Sequence, residues 1–133
     1  MIKYKDIAWL AGILEGEGSF FIDNQKRKLA NGDYKTYPTP TLQVNMSDED
    51  VIARVSQIVD KNYTVIDWHH RQNPEHKIQY RVKLTGEKAL IVMRNIYEFM
   101  GERRQQKFCD IAGICGSNML LCSNERMWDD PTN

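Results

Sequence analysis

Glu15 and Glu17 are the residues of this chain best suited to chemistry, because they close a segment whose small residues, Ala8, Ala11, Gly12 and Gly16, crowd one helical run. Carboxylates in the last turn of a helix oppose its macrodipole, and beside an apolar segment they also resist burial. A divalent cation reverses both penalties. Gly12 and Gly16 lie inside the same run, and each costs about 1 kcal/mol of helix stability relative to alanine. With Ala8 and Ala11 they form a flat surface that lets another backbone approach closely, which would offset that cost. Without such a partner the run reads as a core helix with a solvated acidic end. A second cluster, Arg103, Arg104 and Lys107, crowds the start of a later helix, where positive charge is disfavoured and needs an anion or solvent.

Periodicity defines the elements that must carry these groups. Asp6 is the expected N-cap of a helix over residues 7–17, with Ile7, Leu10, Ala11 and Leu14 at helical spacing and Gly18 as its stop. After it, Ser19 to Gln25 begins aromatic and β-branched, and Asn31-Gly32 marks a reversal into a second strand. There Leu42, Val44 and Met46 alternate with Thr41, Gln43 and Asn45. Ser47 and Asp50 resemble a capping box for a helix reaching about residue 60, with Val51, Ile52, Val55, Ile58 and Val59 inward. Residues 63–71 read as a third strand, Asn73-Pro74 as a turn and residues 77–84 as the hairpin partner. In that partner Ile78, Tyr80, Val82 and Leu84 face one way, and Lys77, Gln79, Arg81 and Lys83 the other. Thr85 is the expected cap of a helix burying Ala89, Leu90, Met93, Ile96 and Tyr97 and ended by Gly101. Phe108, Ile111, Ala112 and Cys115 stripe one more helix. The order α-β-β-α-β-β-α-α defines an α+β fold with no βαβ unit. Residues 1–115 make one domain, and residues 116–133 form a C-terminal extension with no periodicity.

Composition bounds the function classes. The chain has 133 residues, 41% hydrophobic and 27% charged, enough for one domain with its own core. No apolar run approaches a membrane span and the first residues lack a signal peptide's apolar core, so an intracellular protein is expected. Three cysteines, Cys109, Cys115 and Cys122, without paired metal spacing point to reduced thiols rather than a disulfide framework or zinc site. Formal net charge is zero, and only its distribution is informative: residues 19–46 and 63–85 together sum to +4 and hold all three histidines, against −4 elsewhere.

The run Leu10-Ala11-Gly12-Ile13-Leu14-Glu15-Gly16-Glu17-Gly18, continued by Ser19-Phe20, resembles the signature of the LAGLIDADG homing endonucleases. It matches the signature's Leu, Ala, Gly and final Gly. Beyond the motif, the helix-strand-strand-helix order, the Met46-Ser47-Asp48-Glu49-Asp50 entry to the second helix and a basic segment after the third are similar to the family's layout. The resemblance implies a four-stranded antiparallel DNA-binding sheet with helices on one face. It also implies a homodimer, since this chain carries one motif and the family's active fold packs two, through Ala8, Ala11, Gly12, Glu15 and Gly16. Glu17, at the motif's second acidic position, would bind Mg²⁺, with Mn²⁺ able to substitute, helped by the Gly16 carbonyl; Glu15 would be structural. Arg103 matches the position of the family's basic catalytic group, with Arg104 and Lys107 as phosphate-binding neighbours. Where several members carry a glutamine at the end of the second strand, this chain has Met46, which leaves the water-positioning role unassigned.

By the same resemblance, the partner is double-stranded DNA with a long, near-palindromic target, cut once per strand to leave short 3′ overhangs, as part of intron or intein mobility. The polar sheet face would lie in the major groove. Its candidate contacts are Phe21, Asp23, Gln25 and Arg27, with Lys28 near the loop, then Thr39, Thr41, Gln43 and Asn45, then His69 and Arg71, and finally Gln79, Arg81 and Lys83. No membrane and no small-molecule substrate is expected. Two other readings stand beside this one: a regulator or splicing cofactor that binds DNA or RNA on the same scaffold without cutting, and a structural α+β domain with no nucleic-acid partner.

Overall fold

A computed structural model of the chain describes residues 2–116; the C-terminal extension and Cys122 lie outside them. Helix α1 spans Tyr4–Glu17, one turn earlier than the Asp6 cap suggests. Lys3 is the N-cap and makes no side-chain cap. Asp6 instead lies in the first turn, where its charge favours the dipole, 3.2 Å from the Arg54 guanidinium. That guanidinium also lies 4.0 Å from the centre of the Trp9 ring.

Gly18 ends α1 and opens strand β1, Gly18–Lys28, in an ordinary extended conformation with φ −76°. Glycine is required there by space: a Cβ would stand 2.6 Å from the Leu14 carbonyl oxygen and 3.1 Å from its Cα. Both obstacles are backbone, so neither can rotate away. Gly18→Ala is therefore expected to cost about 1–3 kcal/mol, read as a lower urea midpoint with unchanged slope; an unaltered midpoint would show that the junction yields.

Strand β2, Tyr34–Met46, pairs antiparallel with β1 from Gly18↔Val44 to Lys28↔Tyr34, and the Leu29 amide closes the turn on the Asp33 carbonyl at 2.7 Å. Only the end of β2 from Thr41 to Met46 meets β4, so the rest of the hairpin projects as a two-stranded ribbon. The Pro40 carbonyl accepts from Gly86, which shows that even-numbered residues of β2 turn their backbone groups away from β1. Pro38 and Pro40 thus present no N–H along that outer side.

Helix α2 spans Glu49–Val59 with Asp48 as N-cap and no side-chain cap. The Ser47/Asp50 box does not form; Glu49 and Asp50 act through the dipole instead. The third strand is shorter than expected. β3 covers Thr64–Ile66, and Trp68–Gln72 turn into a short helix, α3, in which the Arg71 amide donates to the Asp67 carbonyl and its side chain pairs with Asp67 at 3.2 Å. β4, Gln79–Thr85, pairs with both β2 and β3, giving the antiparallel order β1-β2-β4-β3. Helix α4, Glu87–Ile96, is capped by Gly86 at φ 72°, where Thr85 still belongs to the strand. A 3₁₀ turn, Tyr97–Phe99, follows. Gly101 is the N-cap of helix α5, Glu102–Ile114.

Because side chains alternate across a strand, the pairing sends Phe20, Leu42, Val44, Val82 and Leu84 to one face. There they join Ile7, Leu10, Leu14, Ile52, Val55, Met93, Ile96 and Phe108 in a single core. The helices therefore cover one face of the sheet. Phe108 meets Phe20 edge-on, ring centres 4.6 Å apart, fixing α5 against β1. No helix among the described residues is long and apolar enough to cross a membrane.

Candidate active site and nucleic-acid face

Burial divides α1 into two sides. Ile7, Leu10, Ala11 and Leu14 face the core, while Gly12, Glu15, Gly16 and Glu17 are exposed and Ala8 is half-buried. Ala11, expected on the flat outer surface, is 1% exposed: at 100° per residue it falls on the core side with Ile7 and Leu14. A Cβ built on Gly12 or on Gly16 meets nothing within 4 Å. Packing among the described residues therefore requires neither glycine.

The end of α1 is held by α5. Arg104 donates from Nε to the Glu15 carbonyl and from Nη1 to the Gly18 carbonyl, each at 3.1 Å, and lies 3.5 Å from the Glu15 carboxylate. Its guanidinium also stands 5.3 Å from the centre of the Phe20 ring. The anionic partner that the basic start of α5 requires is thus the C-terminus of α1, where cations satisfy orphan carbonyls and complement the dipole. This clamp engages two of the Arg104 nitrogens, Nε and Nη1. Glu15 also closes on the start of α5, since a Cβ on Gly101 would stand 3.1 Å from its carboxylate.

Arg103, one residue away, is exposed. With Lys107, Gln106, Asp110, Phe20 and the edge of Arg104 it lines an open cleft of about 530 Å³ beside the helix end. Glu17 is exposed at that end. The neighbouring thiols have no nucleophilic role in view: Cys109 and Cys115 are free, and burial pushes the Cys115 thiol above its ordinary value, which keeps it protonated at neutral pH.

The sheet face opposite the helices carries most of the expected nucleic-acid contacts. Cross-strand pairing sets Phe21, Asp23, Gln25 and Arg27 opposite Thr41, Thr39, Tyr37 and Lys35. It continues through Gln43↔Lys83 and Asn45↔Arg81 into Ile66↔Gln79. Arg27 and Lys35 both stand over the Tyr37 ring, 5.3 and 5.1 Å from its centre. Tyr37 was absent from the expected contacts, although its parity in β2 would have placed it on this face. Arg81 donates from Nε to Asn45 Oδ1 at 2.9 Å. Lys28 is exposed at the end of the ribbon.

Two expected contacts are not presented on this face. Thr41 has the right parity but is fully buried between neighbouring strands, its hydroxyl donating to the Thr39 carbonyl at 3.2 Å. Arg71 sits on α3, paired with Asp67. His69 is in the same short helix, and its side chain lies outside what is described. Met46 turns to the opposite side and packs against the core, as its pairing with Tyr80 requires.

A four-stranded antiparallel sheet covered on one face by the helices among the described residues, with a carboxylate-bearing helix end beside it, defines the class as LAGLIDADG endonuclease-like. The chain belongs to the LAGLIDADG endonuclease family, whose profile matches residues 10–115. Solved structures share the fold. The homing endonuclease I-TnaI superposes with a TM-score of 0.56 at 16% identity, over 82% of this chain and 70% of that one. The group I intron-encoded I-CeuI, complexed with DNA, gives 0.62 at 15%, over 87% of this chain and 56% of its own length. I-CvuI, bound to the I-CreI target with 2 mM Mg and its DNA not cleaved, gives 0.57 at 16%, over 90% and 74%. Identities this low show the fold alone. No curated protein sequence matches the chain.

Proposed function

We propose that this chain is one subunit of a homodimeric, site-specific endonuclease that hydrolyses both strands of duplex DNA with Mg²⁺. One observation carries the reading: Glu17 stands exposed at the end of a helix whose glycine face meets nothing among the described residues. A second copy docked on that face brings a second Glu17 to the same place, and like carboxylates at close range are stable together only with cations between them.

The donors suit a hard cation, since Glu17 and the Gly16 carbonyl offer only oxygen. In the proposed assembly the second copy's Glu17 and DNA phosphates would add further oxygen ligands. The bound cation supplies an activated water and stabilises charge on the phosphodiester. The protein's own residues do the rest. Arg104 fixes the helix end that carries Glu17, and the exposed Arg103 and Lys107 meet phosphate beside the cleft.

Selection from a randomised duplex library, with and without Mg²⁺, tests the proposal. Cutting of a near-palindromic site that depends on Mg²⁺ and persists in Mn²⁺ is expected; specific binding without cutting in any divalent ion would favour the regulator or splicing-cofactor reading. Within the same assay Lys28→Ala should weaken all duplexes alike. A mobile ammonium at the ribbon end meets phosphate, and each lost phosphate contact should shallow the log–log salt slope by about one unit. A loss confined to one base pair would place Lys28 on a base edge instead.

A further inference from the structure

Arg81 and Asn45 face each other across β4 and β2, on the sheet face that the proposed function assigns to DNA. They are joined by the 2.9 Å bond from Arg81 Nε to Asn45 Oδ1. Both are half-buried, and among the described residues no other hydrogen bond or ion pair to either side chain is found. The bond has two chemical consequences. It occupies one of the two lone pairs of Asn45 Oδ1 and so ties the amide's orientation to the arginine, and it orients the guanidinium through the nitrogen nearest its stem. The far edge of the guanidinium, with its two terminal nitrogens, is left as a donor fork.

Asparagine reads adenine by accepting from N6 with its oxygen while donating to N7. With Oδ1 bonded sideways to Arg81, the plane of the Asn45 amide is set by the arginine rather than left free to turn to a base edge. The guanidinium fork, in contrast, matches the two acceptors of guanine, O6 and N7. We infer that Asn45 is a positioning residue rather than a base reader, and that the Asn45–Arg81 pair is a single recognition unit for guanine at one symmetric pair of target positions. This rests on the DNA-binding reading above. The arginine supplies the contact, and the asparagine spares it the entropy of ordering a long side chain at the moment of binding.

The test is binding-site selection on the unmodified protein and on N45A, N45D, R81A and N45A/R81A. Unmodified protein should select guanine at the position that R81A relaxes, by on the order of tenfold over other bases. N45A should lose most of that same preference, with no change at neighbouring positions, and the double variant should be no worse than R81A. N45D keeps an acceptor for Nε and should retain the guanine preference, even as its added negative charge weakens every duplex. A merely structural role for Asn45 predicts uniform loss in N45A and no rescue by N45D. Selection by the unmodified protein with N45A changing preference at a different base pair from R81A overturns the inference alone. Absence of any base preference in the unmodified protein overturns both the inference and the DNA reading.

Discussion

Glu17→Gln is expected to abolish cleavage, by at least on the order of 100-fold, while DNA affinity holds or rises. Glutamine preserves the shape of the side chain but removes the charge that a hard cation requires. Because Glu17 is exposed, the fold has little to lose from the change. Loss of a carboxylate near phosphate also removes a repulsion, so tighter binding should accompany the lost activity. Single-turnover cleavage at saturating protein, with binding measured in parallel, separates the two effects. Cutting near the parent rate would move the cation site away from the end of α1.

The second large effect is expected at Gly12. Nothing lies within 4 Å of a Cβ built there, so Gly12→Val should leave the single chain folded, even though valine is an indifferent helix former. In a dimer that brings two α1 backbones together, the branched side chain would force them apart. Sedimentation should therefore show the parent as a dimer at micromolar concentration and the variant as a monomer with an unchanged circular dichroism spectrum. Cleavage should disappear with the dimer, since the proposed active site draws a Glu17 from each copy. A parent protein that sediments as a monomer both free and on DNA would sink the proposal.

Much of this arrangement is legible along the chain because it is encoded by local periodicity. Leu42, Val44 and Met46 fix which side of β2 is buried, and pairing then carries that parity to Phe20 and Leu84. Gly12 and Gly16 stand out because they cost helix stability for no local gain. What is not legible depends on contacts distant in sequence. Nothing local distinguishes Arg104 from Arg103; only packing of α5 on β1 through Phe108 and Phe20 turns Arg104 toward the carbonyls of α1. The third strand fails for a local reason. Its β-branched run ends at Ile66, and Trp68, His70 and Arg71 can follow either period, so the Asp67–Arg71 helical pair decides. Ala11 lies in the core rather than on the outer surface, a difference its type does not signal, because alanine fits a core and a close helix contact equally well.

The ribbon formed by β1 and β2 has a consequence for the protein's life off its target. A long strand with an open side is a template for pairing with any other extended chain, and a subunit that must exist at some concentration before it finds DNA is exposed to that hazard. Pro38, which is exposed, withholds a donor along the outer side of β2, and Lys26, Arg27, Lys28 and Lys35 add like charge to the same projection. Together these features resist edge-to-edge aggregation while leaving the ribbon attractive to a polyanion. The same residues would thus disfavour pairing between copies through the ribbon while favouring the proposed nucleic-acid partner.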